Sequence, residues 1–192
     1  KALNSQEILR SEITPILNQK NDSFTRELTQ KICERAPILS DTITHANSAI
    51  AADAAGFVVL VSEQFLKNKM CKAVEVLGSA TSGVLPEKAP IAPVEAIKIL
   101  LAQTEISLSK VAFIELMEAY AAQAILCTRI CGLDLDKINI RGGALSRGHP
   151  IGASGAILTV RLFHELLKVP GITGMAAIAA AGGLGTAMLL QS

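Results

Sequence analysis

The sequence has no excess of charge of either sign: eighteen Lys and Arg are spread among seventeen Asp and Glu, for a formal net charge of +1. That leaves no basic tract for a nucleic acid backbone or an anionic membrane surface, so neither is an expected partner. A repeat of fixed short period is also missing, which excludes a solenoid. Ligand clusters are scarce too. Cys127 and Cys131 lie four residues apart, but no further Cys or His pair follows at ligand spacing. They read as small apolar core residues, and no metal is expected. No secretory signal precedes the four cysteines, which points to reduced thiols in a soluble, intracellular protein. The first residue is Lys1, which is not a translation start and implies a processed or truncated chain.

The longest uncharged stretch, residues 169 to 192, is long enough to span a membrane as one helix. Gly171, Gly174, Gly182, Gly183 and Gly185 interrupt it, so it reads as two short buried strands joined by a glycine turn, with no membrane span.

What is present is a core. Half of the 192 residues are hydrophobic and only 18% are charged, enough to bury the interior of one compact domain. Residues 1–45 are polar and mixed, with helical patterning over residues 24–33. Residues 57–61 form a continuous apolar run suited to a strand buried on both faces, and Ser62 is placed to cap a short helix. Further strands are expected over residues 73–80, 111–116 and 139–144, and helices over 94–103, 122–131 (closed by Gly132) and 156–168. Strands alternating with long helices call for a layered α/β domain, with the last two apolar segments adding a terminal hairpin.

Chemistry concentrates in residues 142–155. Small and turn-forming residues there surround one imidazole, His149, just ahead of a helix. Such a loop lets backbone amides approach a ligand while the histidine activates a thiol or donates to an oxyanion. By spacing alone, a glycine-rich turn with an incidental histidine explains the pattern equally well.

Gly142-Gly143-Ala144, three residues, then Gly148-His149-Pro150-Ile151-Gly152-Ala153-Ser154-Gly155 resembles a signature of the thiolase family. Three further blocks agree in order: Ala46-Asn47-Ser48 leading to Ser62, Glu115 to Gln123, and Ala179 to Met188. Together they cover roughly residues 40–192. The resemblance implies a layered α-β-α fold with a mixed five-stranded sheet and helices on both faces. Residues 1–45 would be a remnant of the loop domain, 46–70 the last strand and helix of the N-terminal half, and 71–192 the C-terminal domain. It implies acyl-CoA C-acyltransferase activity through a cysteine thioester, with coenzyme A or acyl-CoA as substrate and no covalently bound cofactor.

His149 matches the family's thiol-activating histidine, and Glu118 part of its Asn-Glu-Ala-Phe motif. Ala49, Gly148, Gly152 and Ala181 fall on the coenzyme A side. The departures bear on function. Ala179 stands at the position of the proton-transferring cysteine, and a methyl group abstracts no proton. Met117 stands where the family has Asn or His, and a thioether is a weak acceptor and no donor. Ala52, like Ala49, replaces a more polar residue, and Arg141 and Arg147 are bulkier than expected. The nucleophilic cysteine belongs to a half not found here. A second chain or segment carrying that half is therefore expected, in a homo- or hetero-oligomer, in the cytoplasm, mitochondria or peroxisomes. The competing expectation is a non-catalytic structural or acyl-CoA-binding subunit.

Overall fold

The structure is a computed structural model that describes residues 2–22, 24–67 and 69–192; Lys1 lies outside them. In chain order the elements are α1 (Gln6–Leu9), α2 (Gln30–Arg35), β1 (Ile38–Ser40), β2 (Ile43–Thr44), α3 (Glu63–Leu66), β3 (Glu75–Gly83), α4 (Ala92–Thr104), β4 (Val111–Leu116), α5 (Ala121–Cys131), α6 (Ala144–Arg147), α7 (Ser154–Leu166), β5 (Thr173–Ala180) and β6 (Leu184–Gln191). The main sheet has the order β3-β6-β5-β4. The β4–β5 pair is parallel, and β6 is antiparallel to both its neighbours.

Alternation along the central strands explains the layers. Met175 and Ala177 of β5, with Ala187 and Leu189 of β6, join the core beneath α4 and α5. Their sequence neighbours Ala176 and Leu190 join the core beneath α7. A strand projects successive side chains to opposite faces, so a run that is apolar at every position is buried on both. Ala96, Ile97 and Leu100 of α4 share one face at helical spacing and are fully buried. Leu158, Leu162 and Leu166 line one face of α7 at intervals of four, the last two fully buried. Full burial of each such leucine contributes about 1.5–3 kcal/mol.

The terminal hairpin forms as expected from residues 173–191. Helix α5 ends on Gly132 in the left-handed conformation. Ser62 accepts from the Phe65 amide and caps α3. Cys127 is buried in the main core with Cys131 packed against it, and burial pushes both thiols up, Cys131 to about 11. Among the described residues, no helix is long and apolar enough to cross a membrane.

Three expectations are corrected. Residues 57–61 are not a buried strand: Phe57, Val59 and Leu60 are 87%, 85% and 77% exposed, because a strand exists only with a pairing partner and none of the described residues supplies one. The main sheet has four strands, not five. Its fifth place, beside β4, is held by a single parallel bridge between Ile114 and Ile138, and residues 139–144 then turn away into α6. The helix expected over residues 24–33 begins later, at Gln30, where Thr29 accepts from the Ile32 amide and caps it.

Candidate active site

Strand β4 ends at Leu116, opposite Ala177, and β5 runs three residues further to Ala180, so the carboxyl ends of a parallel pair open on one edge of the sheet. Ligands of α/β sheets bind at such ends. Leu116 turns its backbone groups away from β5, toward the place left by the missing fifth strand. A side chain fills that place. Asn139 accepts from the Leu116 amide at 2.9 Å and donates to its carbonyl at 2.9 Å, continuing the ladder by one rung. The same side-chain amide donates to Glu118 Oε1 at 2.5 Å.

Glu118 Oε2 accepts from the Leu145 amide at 3.2 Å, so its carboxylate ties the end of β4 to α6. A Cβ at position 143 would fall inside that carboxylate, which is why Gly143 has no side chain.

The loop after α6 presents the imidazole. Gly148 has φ of +94°, and a Cβ there would meet the Ala52 methyl at 2.8 Å, so both its conformation and its surroundings require glycine. The His149 amide donates to the Ile50 carbonyl at 2.7 Å. His149 Nδ1 lies 2.7 Å from Ser154 Oγ, and Ser154 Oγ donates its one proton to the Pro150 carbonyl at 3.0 Å. A hydroxyl that gives its one proton to the Pro150 carbonyl accepts from Nδ1–H, and in that tautomer Nε2 is the unprotonated ring nitrogen. Burial lowers the His149 pKa below its ordinary 6.5, so the ring is neutral at neutral pH. A neutral imidazole with a fixed tautomer is suited to taking a proton from a thiol.

Residues 47–51 connect these two parts. The Ala121 amide donates to the Asn47 carbonyl at 2.8 Å and the Ala49 amide to the Ala119 carbonyl at 2.9 Å. Ser48 bridges Tyr120, and Ala51 bridges His149. The segment that follows Glu118 and the segment that carries His149 are thereby joined through residues 47–51. Met117 donates its amide to the Ala177 carbonyl at 2.9 Å. Its thioether, however, is buried with Leu158 and Leu162 in the core under α7. Ala179 lies two residues beyond Ala177, half-buried and paired with Gly185. Gly152 and Ala181 lie exposed, at the tip of the histidine loop and in the β5–β6 turn.

Sequence reasoning missed Asn139 and Ser154. Ser154 lies within the histidine signature, four residues after Pro150, where a helix's first turn brings a hydroxyl back over a carbonyl. Nothing in the spacing of Asn139 announces its role. The two bulkier residues, Arg141 and Arg147, are taken up in ion pairs: Arg141 with Glu165 at 3.0 Å and Arg147 with Asp22 at 3.4 Å.

Residues 70–192 match the family described as thiolase, C-terminal domain. The chain belongs to the thiolase family. Among thiolase relatives, rat cytosolic acetyl-CoA acetyltransferase is 38% identical over 151 residues, covering 78% of this chain and 38% of the rat enzyme. The crystal structure of Bacillus anthracis acetyl-CoA acetyltransferase superposes with a TM-score of 0.88 at 28% identity, covering 98% of this chain and 52% of that one. Human mitochondrial 3-ketoacyl-CoA thiolase in complex with CoA gives 0.88 at 28% identity, covering 100% and 51%. The chain spans between 38% and 52% of the length of these thiolases. The layered thiolase-like α/β fold is thus shown.

Proposed function

We propose that the chain is the histidine-bearing half of an acyl-CoA C-acyltransferase of thiolase type, with coenzyme A thioesters as substrates. The observation that carries this reading is the His149 ring held at Nδ1 by Ser154, whose hydroxyl also meets the Pro150 carbonyl; this arrangement supports an Nε2 able to accept a proton. In the acylation step a cysteine from outside residues 1–192 gives its thiol proton to His149 Nε2. Its sulfur then bonds to the thioester carbonyl carbon, and the coenzyme A sulfur leaves, taking the proton back.

The second half-reaction of a thiolase needs a base at the acyl α-carbon. Ala179 supplies none, so the acyl group passes to an acceptor that carries its own nucleophile, or returns to coenzyme A. Residues 1–45 act in this reading as a peripheral layer and residues 46–70 as the part that meets the missing half, leaving 71–192 as the C-terminal domain. Residues 57–61, apolar and uncovered, support a second segment or chain packing there within an oligomer. Relatives named as cytosolic and mitochondrial support an intracellular, soluble setting.

The experiment is to incubate the protein, with whatever copurifies, with radiolabelled acetyl-CoA and locate the covalent adduct by mass. Labelling of a partner cysteine that disappears in His149→Ala is the expected result. The second reading, a subunit that binds acyl-CoA or supports the fold without chemistry, is favoured by the burial of Met117 among aliphatic side chains and by the methyl group at 179. Coenzyme A binding with no adduct would establish it over the first.

A further inference from the structure

His149 is held by two stretches of backbone, residues 45–51 on one side and α6 on the other, and a single guanidinium fastens both. Arg26 Nε donates to the Leu145 carbonyl at 2.8 Å, Nη1 to the His45 carbonyl at 2.6 Å and Nη2 to the Ser48 carbonyl at 3.0 Å. Its own amide donates to the Ser146 carbonyl at 2.9 Å. Leu145 and Ser146 belong to α6, which ends at Arg147, two residues before His149. His45 and Ser48 lead into Ile50, which accepts from the His149 amide, and Ala51, which bridges His149. Phe24, under the guanidinium at 5.7 Å, also reaches toward Gly148.

We propose that Arg26 is a positioning residue for His149: it clamps three carbonyl groups from two separate segments, so the histidine loop keeps one distance from the residue 47–51 segment. The chemistry requires arginine. Three carbonyl oxygens converging on one point repel through their partial negative charges, and α6 has one turn, too few hydrogen bonds to hold its own place. Only a planar fork with five donors meets three acceptors spread around it. A lysine ammonium offers a compact charge on a flexible stem and cannot span them. Arg26 touches neither the imidazole nor, in the proposed reaction, the reacting atoms; it acts on the ring through the backbone that carries it.

The proposal takes from the proposed function only that the His149 ring does the proton transfer, and its test reads the ring rather than the reaction. The probe is diethyl pyrocarbonate, with carbethoxylation of each histidine followed by peptide mass as a function of pH in the protein with whatever copurifies, wild type against Arg26→Ala and Arg26→Lys. His164, packed edge-on against Phe163 and untouched by Arg26, is the internal reference.

The expected result is that His149 reacts severalfold faster in both variants, with its midpoint moving up toward 6.5, while His164 is unchanged. Three outcomes overturn the proposal. An unchanged His149 in Arg26→Ala means that the clamp does not set the ring. Wild-type behaviour in Arg26→Lys means that the fork is not needed. His149 and His164 shifting together in both variants means that Arg26 supports the fold in general. Should Arg26→Ala not fold, Arg26→Lys decides between these by itself. The acyl-adduct experiment stands apart from these readings: an absent adduct with the expected histidine shifts sinks the enzymatic reading and leaves the positioning role intact.

Discussion

Replacing Asn139 by alanine removes one amide group and should cost more than most core truncations. In the wild type that amide satisfies both backbone groups of Leu116, a residue 1% exposed, and also holds Glu118. Alanine leaves a buried N–H and a buried C=O without partners, at about 1–3 kcal/mol each. Asn139 also sits at φ of +45°, where alanine costs about 1–2 kcal/mol more than glycine. The total is about 2–6 kcal/mol for Asn139→Ala, with Asn139→Gly recovering about 1–2 kcal/mol of it. Guanidinium unfolding measures the loss, and hydrogen exchange at the Leu116 amide shows where it arises. A cost below about 1 kcal/mol, or glycine no better than alanine, would refute the ladder-rung argument. Asn139→Asp is a further control: it retains the acceptor for the Leu116 amide but sets a carboxylate against Glu118, so it should be least stable where both are ionised.

Other perturbations have signs set by the structure. On the proposed thiolase reading, and with the cysteine-bearing half present, Ala179→Cys should restore a general base and raise thiolytic turnover of a 3-ketoacyl-CoA by about 10²–10⁴-fold, measured as coenzyme A consumed; no gain in a complex that still forms the acyl adduct would mean that position 179 does not face the substrate. Glu115 and Arg161 form a buried pair at 3.1 Å. Arg161→Met alone should destabilise by about 3–5 kcal/mol, and the double variant with Glu115→Leu should recover most of that; equal losses in a double-mutant cycle would argue against the pair. Burial raises the Glu12 pKa to about 7 against the opposing pull of Arg161 and Lys168. The folded state then holds a proton that the unfolded state releases near 4.5, so stability should fall as pH rises from about 4.5 to 7. Glu12→Gln should flatten that slope in pH-dependent melting.

The parts of the fold that could be read from the sequence are those in which one local pattern decides the outcome. The terminal hairpin followed from apolar segments interrupted by Gly182 and Gly183, and α5 from helical spacing ending at Gly132. The histidine loop stood out because Gly143 and Gly148 are needed for reasons of space and φ that leave glycine at fixed offsets. The rest depends on partners distant in sequence. Asn139 imitates a strand rung only because Leu116 comes to lie beside it, and Arg26 finds carbonyl groups 19, 22 and 119 residues away. The apolar run at residues 57–61 has every local property of a strand, yet pairing is a property of two segments and the second is not among those described. Met117 reads as a lost polar anchor in sequence but fills a space in the α7 core, which local pattern does not reveal.

That uncovered run also has a consequence for synthesis. Five consecutive exposed large apolar side chains, with no charge or proline among them, make a template on which copies of the same chain stack. If its cover is a separate polypeptide, the two must be produced in step. A surplus of this one would be drawn into aggregates or degraded, so its steady abundance should track that of its companion rather than its own rate of expression.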